Sequence, residues 1–261
     1  MNQALEPTIR VHVDPTNPGQ FFACCGLLEI ADRIWGGAEG WFEGEGFALR
    51  SCIADSLADA KDMRLTNVIP KLCFESLDPG DEYSPPLALR ASIEIRLDWW
   101  KDDQAGGSRL KTWAGQQKVI NIAEGMKREA EAMLSRPSWE WLQHRDDSSE
   151  LPFNFDSDLG GMGSDRDLGF SMDPLKMKAT TRPMVELMAF IGLQRFRPAK
   201  LENENRYRFS TWSDPLVPEI ASIAACGMLE GPRLQTYEFR LLYRTKYLKS
   251  FLPANPIGGD Q

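Results

Sequence analysis

Residues 18–35, PGQFFACCGLLEIADRIW, are the feature that most constrains how this chain folds. Helical spacing runs through the segment, and only Gln20, Glu29, Asp32 and Arg33 interrupt its apolar surface. A helix that is apolar around most of its circumference is buried between layers of its own chain or is covered by a second chain. Burial beside a sheet is the simpler interpretation, and a partner surface is the alternative.

The ends of this helix carry recognisable signals. Thr16 or Asn17 suits the N-cap, the proline that follows suits the first turn, and the Gly-Gly pair at 36–37 ends the helix. Gly26 lies in the middle, where glycine costs about 1 kcal/mol relative to alanine. We therefore expect another backbone to approach the helix closely at Gly26.

Strand and helix patterns alternate along the rest of the chain, which favours the α+β class, with mixed sheets and packed helices. We predict strands at 8–15 and 90–100, a strand or hairpin at 41–50, helices at 52–63, within 109–135, at 180–196 and at 217–229, a strand and turn from 206, and one closing strand at 234–251. The helix at 180–196 is the second strongly apolar one.

Four parts follow from this pattern. They are an N-terminal α+β part at 1–135, a loop-rich connector at 136–178, a basic C-terminal α+β part at 179–254 and a frayed tail at 255–261. One compact domain overall is the alternative, since 261 residues can bury a single large core.

Composition is that of a globular protein, with 42% hydrophobic and 26% charged residues. No apolar run reaches the roughly 18 residues that span a bilayer, and the first ten residues lack a signal-peptide layout. The five cysteines form no CxxC pattern, which argues against a zinc site. We expect a cytoplasmic protein with no membrane contact and no cofactor.

The charge is divided unevenly. The whole chain carries −8, but residues 176–249 hold 13 Lys/Arg against 7 Asp/Glu, a balance of +6, which leaves −14 on the remainder. Such asymmetry favours a polyanion on one face and basic proteins on the other. The alternative is that basic residues only balance acidic neighbours.

Catalytic signals are weak. The two histidines, His12 and His144, could serve a metal-independent ribonuclease, although a lone histidine on a strand is usually structural. The aspartates within 156–173 do not match a calcium loop, and a solvated acidic loop is the favoured interpretation. We expect a binding or scaffolding protein rather than an enzyme.

Cations and aromatic residues mix in three places, at 109–118, 195–212 and 244–249. Arginine forks bind phosphates and aromatic rings offer stacking faces, as in single-strand binders. As candidate nucleic-acid-binding residues we select Arg195, Arg197, Arg182, Lys111, Gln116, Lys118, Arg244 and Lys246.

The first two candidates, Arg195 and Arg197, flank Phe196 where Pro198 stops a helix. An extended backbone would put both arginines on one face and turn Phe196 inward to anchor them. The alternative is that both arginines cap the carbonyls at the end of that helix.

Four blocks of sequence resemble a known family. They are NPGQFFACCGLLEIADRIWGGAEGWF, LDWW followed by LKTWAGQQ, RPMVELMAFIGLQRFRP, and STWSDPL followed by YRTKYLKSFLPA. In this order they resemble the third Csb family of type I-G CRISPR systems, formerly type I-U or Dpsyc. That family is regarded as a reduced version of the large subunit of Cascade.

The resemblance implies a subunit of an RNA-guided complex, in which guide RNA reads the sequence and proteins hold RNA and the flanking DNA motif. Its implied partners are other Cascade subunits, the guide RNA, target DNA and a helicase–nuclease. Full large subunits are about twice this length, so part of their role could lie elsewhere. An endoribonuclease that processes repeat RNA and a purely structural adaptor are the alternatives.

Overall fold

The structure is a computed structural model. It describes residues 6–52, 64–98, 112–113, 117–148, 150–160, 178–201, 206–227, 230–244 and 247–257. The helix predicted at 52–63 lies outside the described residues, apart from residue 52.

Helices and sheets both contribute, and the fold is α+β. The α-helices of the described ranges are α1 (Pro18–Trp35), α2 (Leu65–Val68), α3 (Val119–Met133), α4 (Ser157–Gly160), α5 (Pro183–Gly192) and α6 (Pro218–Ala225), with 3₁₀ turns at Ile69–Lys71 and Ser138–Glu140. None of these helices combines the length and the apolar character that crossing a membrane would require.

The strands of the described ranges form four antiparallel sheets. In chain order they are β1 (Ile9–His12), β2 (Ala38–Glu43), β3 (Gly46–Ser51), β4 (Cys73–Ser76), β5 (Leu87–Arg90), β6 (Glu94–Leu97), β7 (Asp146–Ser148), β8 (Ala179–Thr181), β9 (Ala199–Lys200), β10 (Arg206–Trp212), β11 (Leu234–Arg244), β12 (Tyr247–Phe251) and β13 (Asn255–Pro256). The sheet orders are β1-β3-β2, β4-β5-β6, β7-β8 and β12-β11-β10-β9, and β13 also pairs with β11.

Helix α1 begins and ends where its sequence signals predict. The Asn17 side chain accepts hydrogen bonds from the backbone amides of Gly19 and Gln20. Gly36 ends the helix with φ at 70°, a left-handed conformation that glycine adopts without steric cost. Sixteen of the 18 helical residues are buried, so burial within the chain, the simpler of our two interpretations, is confirmed.

The close approach predicted at Gly26 is also confirmed. A Cβ atom at Gly26 would overlap the carbonyl oxygen of Met188 and would lie 3.1 Å from the amide nitrogen of Gly192 in α5. A Cβ at Gly192 would in turn overlap the carbonyl oxygen of Phe22. The two glycines therefore let the backbones of α1 and α5 meet without side chains between them. Every residue of α5 is buried.

One hydrophobic cluster runs from Val11 in β1 to Ala254 near the C-terminus. It includes the apolar stripe predicted for α3, whose residues Val119, Ile122, Met126, Ala130 and Met133 are all buried. Residues of the predicted N-terminal and C-terminal parts thus contribute to the same core.

Several predicted boundaries are wrong. The strand expected at 90–100 is a hairpin of β5 and β6 that turns at residues 91–93. The closing strand expected at 234–251 is also a hairpin, because β12 folds back antiparallel on β11. The expected tail begins with a paired strand, since Asn255 lies opposite Glu238.

We predict that Gly26→Ala lowers the free energy of unfolding by more than about 2 kcal/mol. The added methyl group would meet backbone atoms, which cannot rotate away as a side chain can. Urea denaturation of the full chain measures the change. Gly231→Ala is the matched control, because the nearest atom lies 3.9 Å from its added Cβ, and it should stay within about 0.5 kcal/mol of wild type. Equal stability of the two variants would contradict this account of helix packing.

Candidate nucleic-acid interface

Arg182, one of the predicted binding residues, is buried immediately before α5, with only 4% of its side chain exposed. Its guanidinium nitrogen Nη1 lies 2.9 Å from Asp156 Oδ2 and 2.9 Å from Asp158 Oδ2. Burial alone would lower the pKa of Arg182, but the two aspartates outweigh burial and raise this pKa above its ordinary value. The guanidinium is occupied inside the fold and offers no fork to a ligand.

The same cluster corrects the prediction for the acidic loop. Asp156 is fully buried rather than solvated, and its Oδ1 accepts a hydrogen bond from the side-chain amide of Asn17. The backbone amides of residues 155 and 156 donate to the carboxylate of Glu186 in α5. Asp158 is partly exposed, and the aspartates at 165, 167 and 173 lie outside the described residues. No metal-binding group of three carboxylates, histidines or cysteines occurs in the described ranges.

Arg195, in the turn after α5, forms ion pairs with residues of two other helices, α1 and α6. Its Nε lies 2.7 Å from Oε2 of Glu29 in α1, and its Nη1 donates to Oε1 of Glu219 in α6 at 3.0 Å. The Glu29 side chain is only 4% exposed and also pairs with Arg33 at 3.0 Å. The amide of Glu219 itself and, to a smaller extent, Arg195 lower the pKa of Glu219. Arg195 thus neutralises a buried carboxylate.

Arg197 is exposed, and its Nε donates to the carbonyl oxygen of Gln194 at 3.1 Å. Phe196 between the two arginines is fully buried, as expected of an anchor. The backbone is not extended there, because residues 193–195 form a turn after α5. Arg197 therefore contacts a carbonyl oxygen after the helix, as the helix-capping alternative predicts. Arg195 neither caps the helix nor lies on an extended strand.

The other predicted residues lie on different elements. Lys118 precedes α3, and its Nζ lies 2.6 Å from Oε1 of Glu82, which raises the pKa of Lys118. Arg244 ends β11 opposite Tyr247, and its side chain is not described. Lys111, Gln116 and Lys246 lie outside the described residues. Arg182 and Arg195 flank opposite ends of the ten-residue helix α5, about 15 Å in length. The predicted residues therefore do not form one cluster in the described structure.

The outer face of the C-terminal sheet carries a group of cations that sequence analysis did not assemble. Tyr207 and Phe209 on β10 are buried, and the Phe209 ring stacks 4.2 Å from that of Phe21 in α1. The alternating residues Arg206 and Arg208 point to the opposite side, where their side chains are 34% and 39% exposed. Alternation along β10 thus separates an aromatic inner face from a basic outer face.

Register places β11 residues beside these arginines. Arg206 lies opposite Arg240, and Arg208 lies opposite Glu238. The Glu238 carboxylate pairs with Arg206 at 3.0 Å through Oε2 and with Arg208 at 2.6 Å through Oε1. Arg240 is exposed and forms no ion pair within the described part of the chain. We call Arg206, Arg208, Glu238 and Arg240 the arginine face. It carries three positive charges and one negative charge.

Arg240 was not among the predicted residues because its position beside Arg206 depends on strand register. Its alternation with Phe239 and Leu241 is visible in the sequence, but the register that brings it opposite Arg206 is not. More than 20 residues separate β10 from β11, so no tight turn specifies the pairing.

His12, one of the two histidines that could serve the ribonuclease alternative, lies on β1 against Trp139, with ring centroids 5.2 Å apart. Its Nε2 is 3.5 Å from Oε2 of Glu45, an exposed residue. No tyrosine or lysine among the described residues is joined to His12 by a hydrogen bond or ion pair.

Comparisons with family models, with curated proteins and with solved structures find no match to this chain.

We predict that Arg182→Gln lowers the free energy of unfolding by about 3–5 kcal/mol, because Asp156 would remain buried with its charge uncompensated. Urea denaturation at pH 7 measures the loss. Asp156→Asn combined with Arg182→Gln should recover part of it, since the buried charge is then also removed. A stable Arg182→Gln variant would contradict a structural role for this arginine.

We also predict that Arg195 and Arg197 differ. Arg195→Gln should cost roughly 1–3 kcal/mol because Glu29 loses a charged partner, whereas Arg197→Gln should stay within about 0.5 kcal/mol. The lowered pKa of Glu219 means that its ion pair stabilises above the ordinary glutamate pKa and is lost as pH falls through the lowered value. The Arg195→Gln deficit should therefore shrink in acid. Thermal unfolding at several pH values measures both variants, and identical losses would refute the distinction.

Proposed function

We propose that this chain is a non-catalytic subunit of a type I-G CRISPR surveillance complex, a reduced counterpart of the Cascade large subunit in antiviral defence. It would contact guide RNA or target DNA near the flanking motif and help to recruit the helicase–nuclease. Its other partners would be Cascade subunits, and its compartment would be the cytoplasm. Guide RNA would supply sequence recognition by base pairing.

The observation that carries this proposal is the arginine face. Three arginines occupy one side of a sheet whose other side is held against α1 by stacked aromatic rings. Cations on a rigid sheet lose little freedom on binding, so they suit the phosphates of a nucleic-acid backbone. The charge of this face opposes the −8 of the whole chain.

The resemblance supports the proposal from a different direction. Its first and third blocks contain α1 and α5, the two helices that meet at Gly26 and Gly192. The segments that resemble the family thus include the residues that pack the core. Close packing in the core restricts which residues a fold accepts there. All four residues of the arginine face lie outside the four blocks, so the arginine face is independent support.

We predict that the purified full chain binds single-stranded RNA weakly, with affinity that falls steeply between about 50 and 200 mM salt. Fluorescence anisotropy with labelled repeat RNA measures this, and the same titration is repeated on the complex assembled with its partner subunits. Arg206→Gln with Arg208→Gln should weaken binding, whereas Arg10→Gln, which removes an exposed arginine on β1, should not.

Three outcomes would overturn the proposal. The first is the absence of binding both alone and in the assembled complex. The second is crosslinking of the arginine face to protein alone, which would indicate a structural adaptor. The third is cleavage of repeat RNA in EDTA that His12→Ala abolishes, which would make the chain an endoribonuclease.

A further inference from the structure

An open cleft of about 550 Å³ lies beside the arginine face. Its lining includes Arg206, Glu238 and Arg240 of β10 and β11, and Leu252, Pro253, Asn255, Pro256 and Ile257 of the segment that follows β12. This volume is within the range of small-ligand sites, roughly 300–1,000 Å³. We call the charged residues of β10 and β11 the cationic wall of the cleft, and the mostly apolar segment 252–257 its apolar wall.

The cationic wall places two like charges side by side. Arg206 and Arg240 are directly opposite one another across β10 and β11, an arrangement that is destabilising for like charges. Both carboxylate oxygens of Glu238 are engaged by Arg206 and Arg208. The formal charges of the four residues in the arginine face sum to +2, and an anion at Arg240 would relieve the repulsion between Arg206 and Arg240.

The apolar wall is held in place. The amide of Leu252 donates to the carbonyl oxygen of Arg240 at 2.9 Å, and the amide of Ile257 donates to the carbonyl oxygen of Thr236 at 2.8 Å. Between these two residues Ala254 is buried, and its amide donates to the carbonyl oxygen of Thr16 at 2.7 Å. The segment 252–257 is thus fixed at both ends and in the middle, and it forms a rigid edge to the cleft.

We propose that this cleft is a nucleotide-binding subsite for single-stranded nucleic acid, and this inference rests on the proposed function. The guanidinium of Arg240 binds one phosphodiester group, with Arg206 beside it. The sugar and base of the same nucleotide lie against Pro253, Pro256 and Ile257. The recognised chemistry is a phosphate attached to an apolar ring system, which distinguishes this subsite from a site for free phosphate.

The test uses the full chain and a fluorescein-labelled oligouridine of about 15 nucleotides, a length close to the upper end of known single-strand site sizes. Arg240→Gln should weaken binding roughly tenfold at low salt, because one charge-assisted fork is lost. The slope of log affinity against log salt should fall by about 0.7 for one phosphate contact on a single strand. Arg240→Lys, which keeps the charge without the fork, should recover part of the affinity.

The matched control is Arg233→Gln. Arg233 immediately precedes β11, is exposed, and pairs with Asp214 outside the cleft. Its substitution removes the same charge from the same part of the chain. Because Arg233 lies outside the cleft, this substitution should change affinity less than threefold. If wild type binds and the two variants weaken binding equally, the subsite is refuted while the proposed function stands. If the wild-type chain binds no oligonucleotide alone or in the assembled complex, the proposed function itself fails.

Inorganic phosphate distinguishes the two sources of the anion. At constant ionic strength, phosphate should displace no more oligouridine than sulfate does, because neither ion contacts the apolar wall. Displacement by phosphate alone, seen with wild type and absent with Arg240→Gln, would make the cleft a free-phosphate site and overturn the nucleotide assignment. Circular dichroism of each variant confirms that the sheet is intact.

Discussion

The contact between α1 and α5 at Gly26 and Gly192 is the constraint on which the rest of the structure depends. Each glycine admits the backbone of the other helix to a distance that no side chain would allow. The C-terminal sheet packs on the Phe21 side of α1, and α3 packs on α5. A shift of this helix pair would therefore disturb every layer that rests on it.

Burying two helices so completely creates a polar problem at their ends, which the fold solves with charges from distant segments. Asn17 caps α1 and also donates to Asp156, which Arg182 neutralises in front of α5. At the other end of the pair, Arg195 follows α5 and reaches back to the buried carboxylate of Glu29 in α1. Arg182 and Arg195, which we selected from the sequence as ligand-binding candidates, thus neutralise buried carboxylates beside the helix pair.

Local signals explain which features were predictable. The cap at Asn17, the left-handed Gly36 and the close approach at Gly26 each depend on residues within one helix or on the absence of one side chain. The fate of Arg182 depends on Asp156, 26 residues earlier, so the sequence alone could not reveal that this arginine is buried. The β11–β12 hairpin was missed because residues 245–246, which separate the two strands in the sequence, include neither glycine nor proline.

The arginine face and the net negative charge of the whole chain act on different length scales. At physiological salt, exposed charges are screened beyond about 8 Å, so a phosphate in contact with Arg240 responds to its cationic neighbours far more than to distant acidic residues. At larger distance the net charge of −8 opposes the approach of any polyanion. Under the proposed function, this division of charge would suit contact with nucleic acid that partner subunits already hold in place, and it would disfavour indiscriminate binding by the chain alone. Because α1 fixes the inner face of the sheet, the outer arginines keep their register in both situations.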